Sequence, residues 1–584
     1  MQGHETVPGR TRSIAGPARM VAGGLTLLAA CGSEPVSPPP PPPPPPAAAS
    51  CSGQPVLQLA VGAHQVLDAT QNDGCARVPT AGGSGAEYLV VIAAGAGNRS
   101  TSGISAGYQL RASTAAAAVA GQVPAATVVA DRAPARTPSA QESFDLMLRQ
   151  REQELSRDPA AHLVAPAAAP IALAPPVVGD VRTFKTCNNL SCTGFSDVTA
   201  TARYVGTKAA IYMDNSVPTN DTLLAADYAD LGQTFDQYHY QIDSAAFGTE
   251  SDLDNNQRIV ILMTDAVNSL TPDCTNGRIL GYFFGLDLIT TGTQSANSNK
   301  GEVFYTFVPS PANATGTCKE VSRSTALNNI KPTLIHELQH MISWNRRVTL
   351  GGGTSEETWL NEAMSHYAEE LGGRLIPNSE CPNPPFSSCR SQYASSNIIN
   401  AHDYLSDSES HFLVYPTSSS GTLEERGASW LFLRWVVDHF ATDTIVGGDF
   451  TPGMVTGGGG AATFTARTGV PFATLVTEWL MASYLDDQVG FTGLSDRLRF
   501  KSWGLRAVWT NPANSQIFPA GFPIKPDSTS GGYSRTGTLR GGSGGYLRLI
   551  QAANGGGIDV QLVGSGGSVI DPAIVPRIGI VRVR

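Results

Sequence analysis

The apolar residues near both ends of the chain fall in short runs, where they alternate with polar residues or stand together. Alternation with a period of two is typical of a strand with one buried face, and a short continuous run is typical of a strand buried on both faces. Such runs occupy residues 56–61, 88–92, 546–550 and 558–563. The pattern predicts two small β-rich domains, one over residues 51–130 and one over residues 504–584.

The central part of the chain has a mixed pattern. Apolar runs at residues 209–213 and 258–263 indicate strands, whereas residues 221–238 and 430–440 are helical in pattern. The aromatic-rich stretch at residues 430–440 is typical of a helix buried in a core. The sequence therefore predicts a mixed α and β domain over residues 177–503.

The first thirty residues have the pattern of an export signal. Three arginines precede an apolar stretch, residues 20–30, that is too short to span a bilayer. This stretch leads into Leu-Ala-Ala-Cys at Cys31, which resembles the bacterial lipobox, where the thiol is lipidated after cleavage. We expect a lipoprotein-type signal peptide over residues 1–31 and a lipid anchor at Cys31. The alternative is an ordinary signal peptide with an incidental cysteine. The expected location is extracytoplasmic, as a lipoprotein of the outer membrane or cell surface or as a secreted protein.

Low-complexity segments separate this signal from the predicted domains. Residues 32–50 contain an unbroken proline run, which is stiff and extended, so they predict a tether. Residues 131–176 hold a charged, helix-like stretch at residues 139–157 and then an Ala/Pro-rich linker. We therefore place the start of the central domain at residue 177.

Eight cysteines remain when Cys31 is set aside, and they fall into local pairs along the chain. None lies in a Cys-x-x-Cys metal pattern, and an even number is typical of a disulfide framework in an oxidising compartment. The alternative is eight buried free thiols. The simplest connectivity is Cys51–Cys75, Cys187–Cys192, Cys274–Cys318 and Cys381–Cys389.

The charge pattern limits the classes of partner. The net charge of -10 is spread along the 584 residues, and no basic run with interleaved aromatic residues occurs. A nucleic-acid partner is therefore not expected. We expect membrane contact only through the lipid anchor at Cys31, and a monomeric protein.

The residues with the clearest chemistry form the motif His-Glu-Leu-Gln-His at residues 336–340. Pro332 is expected in the first turn of a helix, and apolar residues follow it at helical spacing. Since His336 and His340 are four apart, both imidazoles project from one face and can bind one zinc ion. Glu337 is then placed to accept a proton from zinc-bound water. The alternative is a solvated helix that contains these residues by chance.

A catalytic zinc ion needs a third protein ligand and an open position for water. A third histidine six residues after His340 is excluded, because Arg346 occupies that position. Glu362, on the next predicted helix, is the expected ligand. His366 is the rival ligand, or a group that orients a zinc histidine. Glu362 and His366 would both face the first helix if the two helices pack antiparallel.

The second helix is expected to start at residues 354–357 and to end at Gly372 and Gly373. Glu369 and Glu370 also lie on it, and we expect them to be solvated or to orient other groups.

The segment Trp-Leu-Asn-Glu that ends at Glu362 resembles the glutamate-zincin peptidases. M1 aminopeptidases have a very similar segment, and the thermolysin group has Asn-Glu-x-x-Ser-Asp, where His366 here takes the place of the aspartate. A wider set of segments over about residues 179–503 resembles the hyicolysin family of secreted bacterial metallopeptidases. The matching segments are Phe247-Gly248, residues 252–256, Gly281-Tyr282-Phe283, Ser298-Asn299 and the run His-Glu-Leu-Gln-His-Met-Ile.

This resemblance implies a zinc endopeptidase that acts on proteins or peptides. The expected fold class is α+β: a zincin-like catalytic domain with active-site helices, flanked by the small β-rich N- and C-terminal domains. One alternative function is an M1-like aminopeptidase. That class needs a Gly-x-Met-Glu-Asn segment, which is absent, and a tyrosine where Glu424 stands. Another alternative is a surface-binding, adhesive lipoprotein with a degenerate zincin fold. The intact motif residues argue against this alternative.

Two further groups of residues are candidates for a functional role. A donor must stabilise the oxyanion of peptide hydrolysis, and the candidates in the following region are Tyr415, His411, His402 and Tyr404. Closely spaced side-chain oxygens at Asp252, Asp254 and Asn256 could bind Ca²⁺, although the loop is not an EF-hand. The alternative for this loop is a polar turn before a strand.

Overall fold

The computed structural model describes Ala49 and residues 51–114, 127–128, 139–162, 174–218, 223–271, 273–311, 318–381 and 388–584. The predicted signal peptide, the anchor residue Cys31 and, apart from Ala49, the proline tether lie outside the described residues. The described residues belong to one compact unit, and every contact given below lies within it.

The helices and strands follow one another in three stretches. The first stretch holds β1 His64–Asp68, β2 Cys75–Val78, β3 Ala86–Ala94, β4 Ser105–Thr114, β5 Thr127–Val128 and α1 Ala140–Leu155. The second holds β6 Val181–Cys187, β7 Phe195–Val205, β8 Ala209–Asp214, α2 Ala225–Thr234, a π-helical turn Phe235–His239, α3 Tyr240–Phe247, β9 Ile259–Met263, α4 Asp265–Ser269, β10 Gly281–Phe283 and β11 Val303–Thr306. The third holds α5 Arg323–Trp344, α6 Thr358–Leu375, α7 Cys389–Ser406, α8 Leu423–Phe440, α9 Thr451–Thr456, α10 Gly460–Thr468, α11 Phe472–Leu485, α12 Leu505–Thr510, β12 Asp527–Thr529, β13 Tyr533–Arg540, β14 Gly544–Gln551, β15 Ile558–Gly564 and β16 Pro576–Arg582.

Strands from the two ends of the chain combine into one β-sandwich. One sheet has the order β1-β16-β3-β14-β12, and the other has the order β2-β15-β4-β13-β5. Within β3, for example, Leu89 lies opposite Arg548 of β14 and Val581 of β16. The fold class is α+β as predicted, but the prediction of two separate β-rich domains is wrong. The predicted strand at residues 56–61 is also wrong, because Val56 makes only an isolated bridge.

The burial of β3 explains why the two ends of the chain need each other. Val90 and Ile92 point into the core between the two sheets, whereas Leu89 and Val91 point into the core of the central domain. A strand that is buried on both faces needs neighbours on both edges and layers on both sides. The C-terminal strands supply the neighbours, and the helices of the central domain supply the second layer.

The central domain contains a six-stranded sheet of order β10-β11-β9-β8-β7-β6. The predicted strands at residues 209–213 and 258–263 correspond to β8 and β9, whose residues are all buried. β8, β9 and β11 are parallel to one another. β10 stands at the edge and pairs with β11 alone among the described strands. Its other edge therefore remains open to side chains or to another chain.

The predicted starts and ends of the motif helices differ from those in the structure. α5 begins at Arg323, where Ser322 caps it, so Pro332 lies inside the helix and not in its first turn. Proline removes a helical hydrogen bond to the carbonyl four residues earlier, here that of Asn328. That carbonyl accepts a hydrogen bond from the side chain of Gln392 on α7 instead, at 3.2 Å. The neighbouring helix thus provides the partner that the proline removes.

α6 begins at Thr358 and continues through the two glycines that were expected to end it. A Cβ atom at Gly372 would lie 2.8 Å from the ring of Tyr393 on α7. These glycines therefore allow close packing between two helices and do not form a helix cap. The predicted core helix at residues 430–440 is the second part of α8, and Trp430, Phe432 and Trp435 are fully buried.

The four disulfides have the connectivity that was predicted from sequence. They are Cys51–Cys75, Cys187–Cys192, Cys274–Cys318 and Cys381–Cys389. Disulfides persist in oxidising compartments, so the folded chain has the chemistry of an extracytoplasmic protein. Among the described helices, none combines the length and the apolar character that crossing a membrane requires.

Candidate active site

α5 and α6 pack antiparallel, and their facing residues form a compact cluster of potential metal ligands. The Nε2 atoms of His336 and His340 lie 3.2 Å apart. The two carboxylate oxygens of Glu362 lie 3.7 Å from these nitrogens, one oxygen from each. In tetrahedral geometry, two ligand atoms each about 2.05 Å from one zinc ion are about 3.3 Å apart. The separation of the two histidine nitrogens therefore fits one tetrahedral ion without rearrangement of α5.

The remaining ring nitrogens of both histidines are held by α6. Nδ1 of His336 lies 2.8 Å from Oε1 of Glu369, and Nδ1 of His340 lies 3.2 Å from Oδ1 of Asn361. An acceptor at Nδ1 fixes the tautomer that leaves the lone pair on Nε2, and it also orients the ring. Both histidines are thus arranged to bind a cation through Nε2. Glu369, which we expected to be solvated or to orient another group, is buried and orients His336.

His366 stands beside this cluster. Its ring centroid is 5.1 Å from that of His336, and its Nδ1 lies 3.1 Å from Oε2 of Glu369. His336, His366 and Glu369 therefore form a second group of closely spaced ligand atoms. However, both oxygens of Glu369 already contact the two histidines. Nε2 of His366 and Oε1 of Glu362 are both buried without a hydrogen-bond partner among the described residues. The group of His336, His340 and Glu362 fits a metal better, because its two Nε2 atoms are 3.2 Å apart and each lies 3.7 Å from an oxygen of Glu362.

Burial and charge act against each other on the ionisable groups of this cluster. Burial lowers the pKa of His336, but the hydrogen bond and charge of Glu369 and the charges of Glu337 and Glu362 outweigh it and raise that pKa to about 9. Burial raises the pKa of Glu369, but the charge of His366 and the hydrogen bonds from both histidines lower it to about 2. Glu369 is therefore a carboxylate at neutral pH, which makes it a strong acceptor for both rings.

Glu337 connects α5 to the edge strand of the sheet. Its Oε2 accepts a hydrogen bond from the backbone N–H of Phe283 in β10, at 2.8 Å. Burial raises the pKa of Glu337 to about 7, although the positive charges of His336 and Arg149 oppose this shift. A carboxylate with a pKa near neutrality can both take up and release a proton, as a general base must do during catalysis.

An arginine from α8 neutralises part of the negative charge at the cluster. Nη1 of Arg426 lies 3.1 Å from Oε2 of Glu362 and 2.9 Å from Oδ2 of Asp145. Burial raises the pKa of Glu362, but the charges of Arg426 and His336 outweigh this effect and lower it. Glu362 is therefore ionised, as a metal ligand must be.

Asp145 belongs to α1, which lies in the segment 131–176 that was predicted from sequence to lie outside the central domain. α1 instead lies along the open edge of β10. The side chains of Gln141, Arg149 and Glu152 make hydrogen bonds with backbone groups of residues 280–285. These three residues and Asp145 are spaced three or four positions apart on α1. This spacing is the feature of the sequence from which a shared polar face could have been predicted. Nothing in the sequence indicated what that face contacts.

Of the four candidate oxyanion donors, Tyr415 lies near this cluster. Burial raises its pKa well above the usual value; the negative charge of Glu362 adds to this shift and Arg426 opposes it. The Tyr415 hydroxyl is buried and has no hydrogen-bond partner among the described residues. His402 and Tyr404 instead bond the backbone carbonyls of Gly521 and Gly542, and the ring of His411 packs beside Tyr404. Tyr415 is therefore the remaining candidate.

At the expected calcium loop, the structure places a different third residue beside Asp252 and Asp254 from the one predicted. Asp252 and Asp254 lie close together, but the third carboxylate beside them comes from Glu302, next to β11. Asn256 uses its side-chain nitrogen to bond Asp254 and its side-chain oxygen to accept from the backbone N–H of Arg258. Asn256 thus stabilises the loop, and Glu302 was missed because it lies 46 positions further along the chain.

Comparisons with known proteins do not add to this description of the site. No protein-family model matches the chain, and no curated protein is significantly similar to it.

Proposed function

We propose that the protein is a zinc endopeptidase that acts outside the cytoplasm on proteins or peptides. The observation that carries this proposal is the arrangement of His336 and His340: their Nε2 atoms are 3.2 Å apart, and each Nδ1 lies beside an oxygen acceptor. Glu362 adds an ionised carboxylate with an unpartnered, buried oxygen. Two imidazoles and one carboxylate form the ligand set of a catalytic zinc site.

The chain's own residues supply the other parts of the reaction. Zinc, when bound, lowers the pKa of a coordinated water and polarises the scissile carbonyl. Glu337 takes the proton from the attacking water and delivers it to the leaving amine, for which a pKa near 7 is well suited. Glu369 and Asn361 hold the two histidines in one tautomer. Tyr415 is the proposed hydrogen-bond donor to the oxyanion.

The proposal includes the position of the enzyme and its mode of cleavage. The lipobox-like sequence at Cys31 supports a lipid anchor, and the disulfides support an extracytoplasmic location. The absence of a Gly-x-Met-Glu-Asn segment, which would bind a free amino terminus, favours an endopeptidase over an aminopeptidase. The substrates are then internal peptide bonds of proteins that reach the cell surface or the medium.

Zinc analysis combined with casein digestion tests the proposal. Freshly purified protein should contain about one zinc ion per chain and should digest casein, however slowly, until a chelator is added. Glu337→Gln should keep its zinc but lose digestion by several orders of magnitude, because the water loses its base. Glu320→Gln, a matched change at an exposed residue, should behave like wild type. Zinc-free wild type, or activity of Glu337→Gln within about tenfold of wild type, would contradict the proposal.

A further inference from the structure

Three carboxylates meet at one end of the central sheet, and none of them belongs to the motif helices. Asp252 and Asp254 lie in the loop that leads into β9, and Glu302 directly precedes β11. Since β9 and β11 are parallel neighbours, the segments before them lie side by side. One oxygen of each carboxylate lies within 4.8 Å of an oxygen of the other two.

The hydrogen bonds of Glu302 leave half of its carboxylate without a partner. Oε1 accepts from the hydroxyl of Ser251 and the backbone N–H of Leu253. Oε2 is buried and has no hydrogen-bond partner among the described residues, and the whole residue is only 2% exposed. An unpartnered carboxylate oxygen in the protein interior is costly, so a cation at this position would stabilise the fold.

Among the described residues, one cation forms an ion pair with these three carboxylates. It is Arg182, whose guanidinium nitrogen is 3.7 Å from Oδ2 of Asp254. One arginine at this distance offsets at most one of the three negative charges. Lys208 contacts Glu250 instead, at 3.3 Å, so it is already paired with another carboxylate.

We propose that Asp252, Asp254 and Glu302 bind a calcium ion that joins the β9 loop to the start of β11. The donors are all carboxylate oxygens, which hard divalent cations prefer, and no nitrogen or sulfur ligand belongs to the group. Ca²⁺ fits better than Mg²⁺, because the loop and solvent can supply the larger number of oxygen ligands that Ca²⁺ takes in flexible geometry. This site is separate from the proposed catalytic centre and does not depend on it.

Thermal melting with defined metals tests this site. Protein passed over a chelating resin and supplied with one equivalent of zinc should melt several degrees higher in millimolar Ca²⁺ than in equal Mg²⁺, because ligand binding stabilises the folded state. Glu302→Gln should lose this calcium-dependent shift, and Glu320→Gln should retain it. Terbium luminescence on the wild type gives a second measurement if Glu302→Gln does not fold. No calcium-dependent shift, an equal shift with Mg²⁺, or no terbium signal that Ca²⁺ displaces would overturn the proposal.

A second inference comes from α1 and rests on the proposed function. Backbone groups at the open edge of β10 are bonded to side chains of this helix, and not to another strand. Gln141 accepts from the N–H of Leu280 at 2.9 Å and donates to the carbonyl of Gly281 at 3.3 Å. Further along, Arg149 donates to the carbonyl of Phe283 at 3.2 Å, and Glu152 accepts from the N–H of Gly285 at 2.8 Å.

An extended peptide binds to a sheet edge through the same kind of backbone groups. This edge also lies next to the site, because Glu337 contacts the N–H of Phe283. Between these contacts α1 also reaches the candidate ligands, since Asp145 shares Arg426 with Glu362. The helix therefore covers both the strand edge and one side of the candidate metal centre.

We infer that α1 is an inhibitory segment that occupies the place of an extended peptide substrate. The described arrangement is then a latent form of the enzyme, and activity requires displacement of α1 from β10. Such displacement would free the backbone groups that α1 bonds, which belong to residues 280, 281, 283 and 285, to bind substrate.

Variants that weaken the docking of α1 test this inference. The double change Gln141→Ala and Glu152→Gln should increase peptide hydrolysis about tenfold or more and should speed the removal of zinc by a chelator. Glu154→Gln, on the exposed side of the same helix, is the matched control. If wild type and variant both contain zinc but have equal rates of hydrolysis and of zinc removal, α1 is not inhibitory. If neither contains zinc, the proposed function fails instead.

Hydrogen exchange on the wild type gives a measurement that needs no variant. A peptide hydroxamate combines a zinc-binding group with an extended backbone, so its binding should increase amide exchange in residues 140–155. Unchanged exchange in this segment with the hydroxamate bound would overturn the inference even if the double variant fails to fold.

Discussion

The substitution Glu369→Gln tests whether α6 controls the metal affinity of α5. In the structure the carboxylate contacts Nδ1 of His336 at 2.8 Å and Nδ1 of His366 at 3.1 Å, one oxygen for each ring. Glutamine has the same shape but a single acceptor oxygen, and it carries no charge. One of the two rings must therefore lose its acceptor, and the charge that favours Nδ1 protonation of His336 is removed.

The expected loss follows from the role of this contact. Groups that orient a metal-binding histidine typically contribute about 10–100-fold to metal affinity, which corresponds to about 1.4–2.7 kcal/mol. We expect an effect toward the upper end of this range, because the bond is charge-assisted and buried. The fold should remain intact, since the introduced glutamine keeps the volume of the original side chain.

Competition titration against a fluorescent zinc chelator at neutral pH measures this loss directly. His366→Ala provides the comparison, because it removes only the second contact of Glu369 and should weaken zinc binding far less. Circular dichroism of each variant shows whether the fold is retained. Zinc affinity of folded Glu369→Gln within about twofold of wild type would refute the assignment of Glu369 as the group that orients His336.

Three further predictions concern the third ligand, the anchor and the contact between the β-sandwich and the central domain. Glu362→Gln should lose zinc and activity while His366→Ala retains zinc, as measured by elemental analysis; the opposite ranking would indicate a three-histidine site. Metabolic labelling with a fatty acid should mark the wild type and not Cys31→Ala, and an unlabelled wild type found only in the medium would mean a secreted enzyme. Burial raises the pKa of Glu478, but hydrogen bonds from His64 and Arg497 outweigh it and lower that pKa. This stabilisation is present above the ordinary carboxyl pKa and is lost as the pH falls. At pH 7, Glu478→Gln should therefore be about 2 kcal/mol less stable than wild type and should melt at a lower temperature. In acid the two melting temperatures should converge, and a difference that is independent of pH would refute this role.

The local features of this protein could be predicted from its sequence. The spacing of His336 and His340 places two rings on one helix face in any helical context, because the helix repeats every 3.6 residues. The disulfides join cysteines that are neighbours among the cysteines along the chain, so the simplest pairing was correct. β8 and β9 were predicted for a similar reason, because a short run of apolar residues indicates a buried strand without information from the rest of the chain.

Helix boundaries depended on contacts from other elements. In the sequence, Pro332 indicates the start of a helix, but α5 begins nine residues earlier. The helix continues through the proline because Gln392 of α7 donates a hydrogen bond to the freed carbonyl of Asn328. In the sequence, Gly372 indicates the end of a helix, but in the structure its missing side chain allows the ring of Tyr393 to pack closely against α6. In both cases a distant side chain outweighs the local preference of the backbone.

The tertiary structure alone decided which distant segments meet. Periodicity shows that a strand or helix has an apolar or polar face, but it does not identify the partner of that face. The pairing of β3 with β14 and β16, the placement of α1 against β10, and the approach of Glu302 to Asp252 all join segments far apart in sequence. These contacts form because each segment buries surface or satisfies backbone groups that its own neighbours in the chain leave exposed, and that balance exists only in the assembled fold.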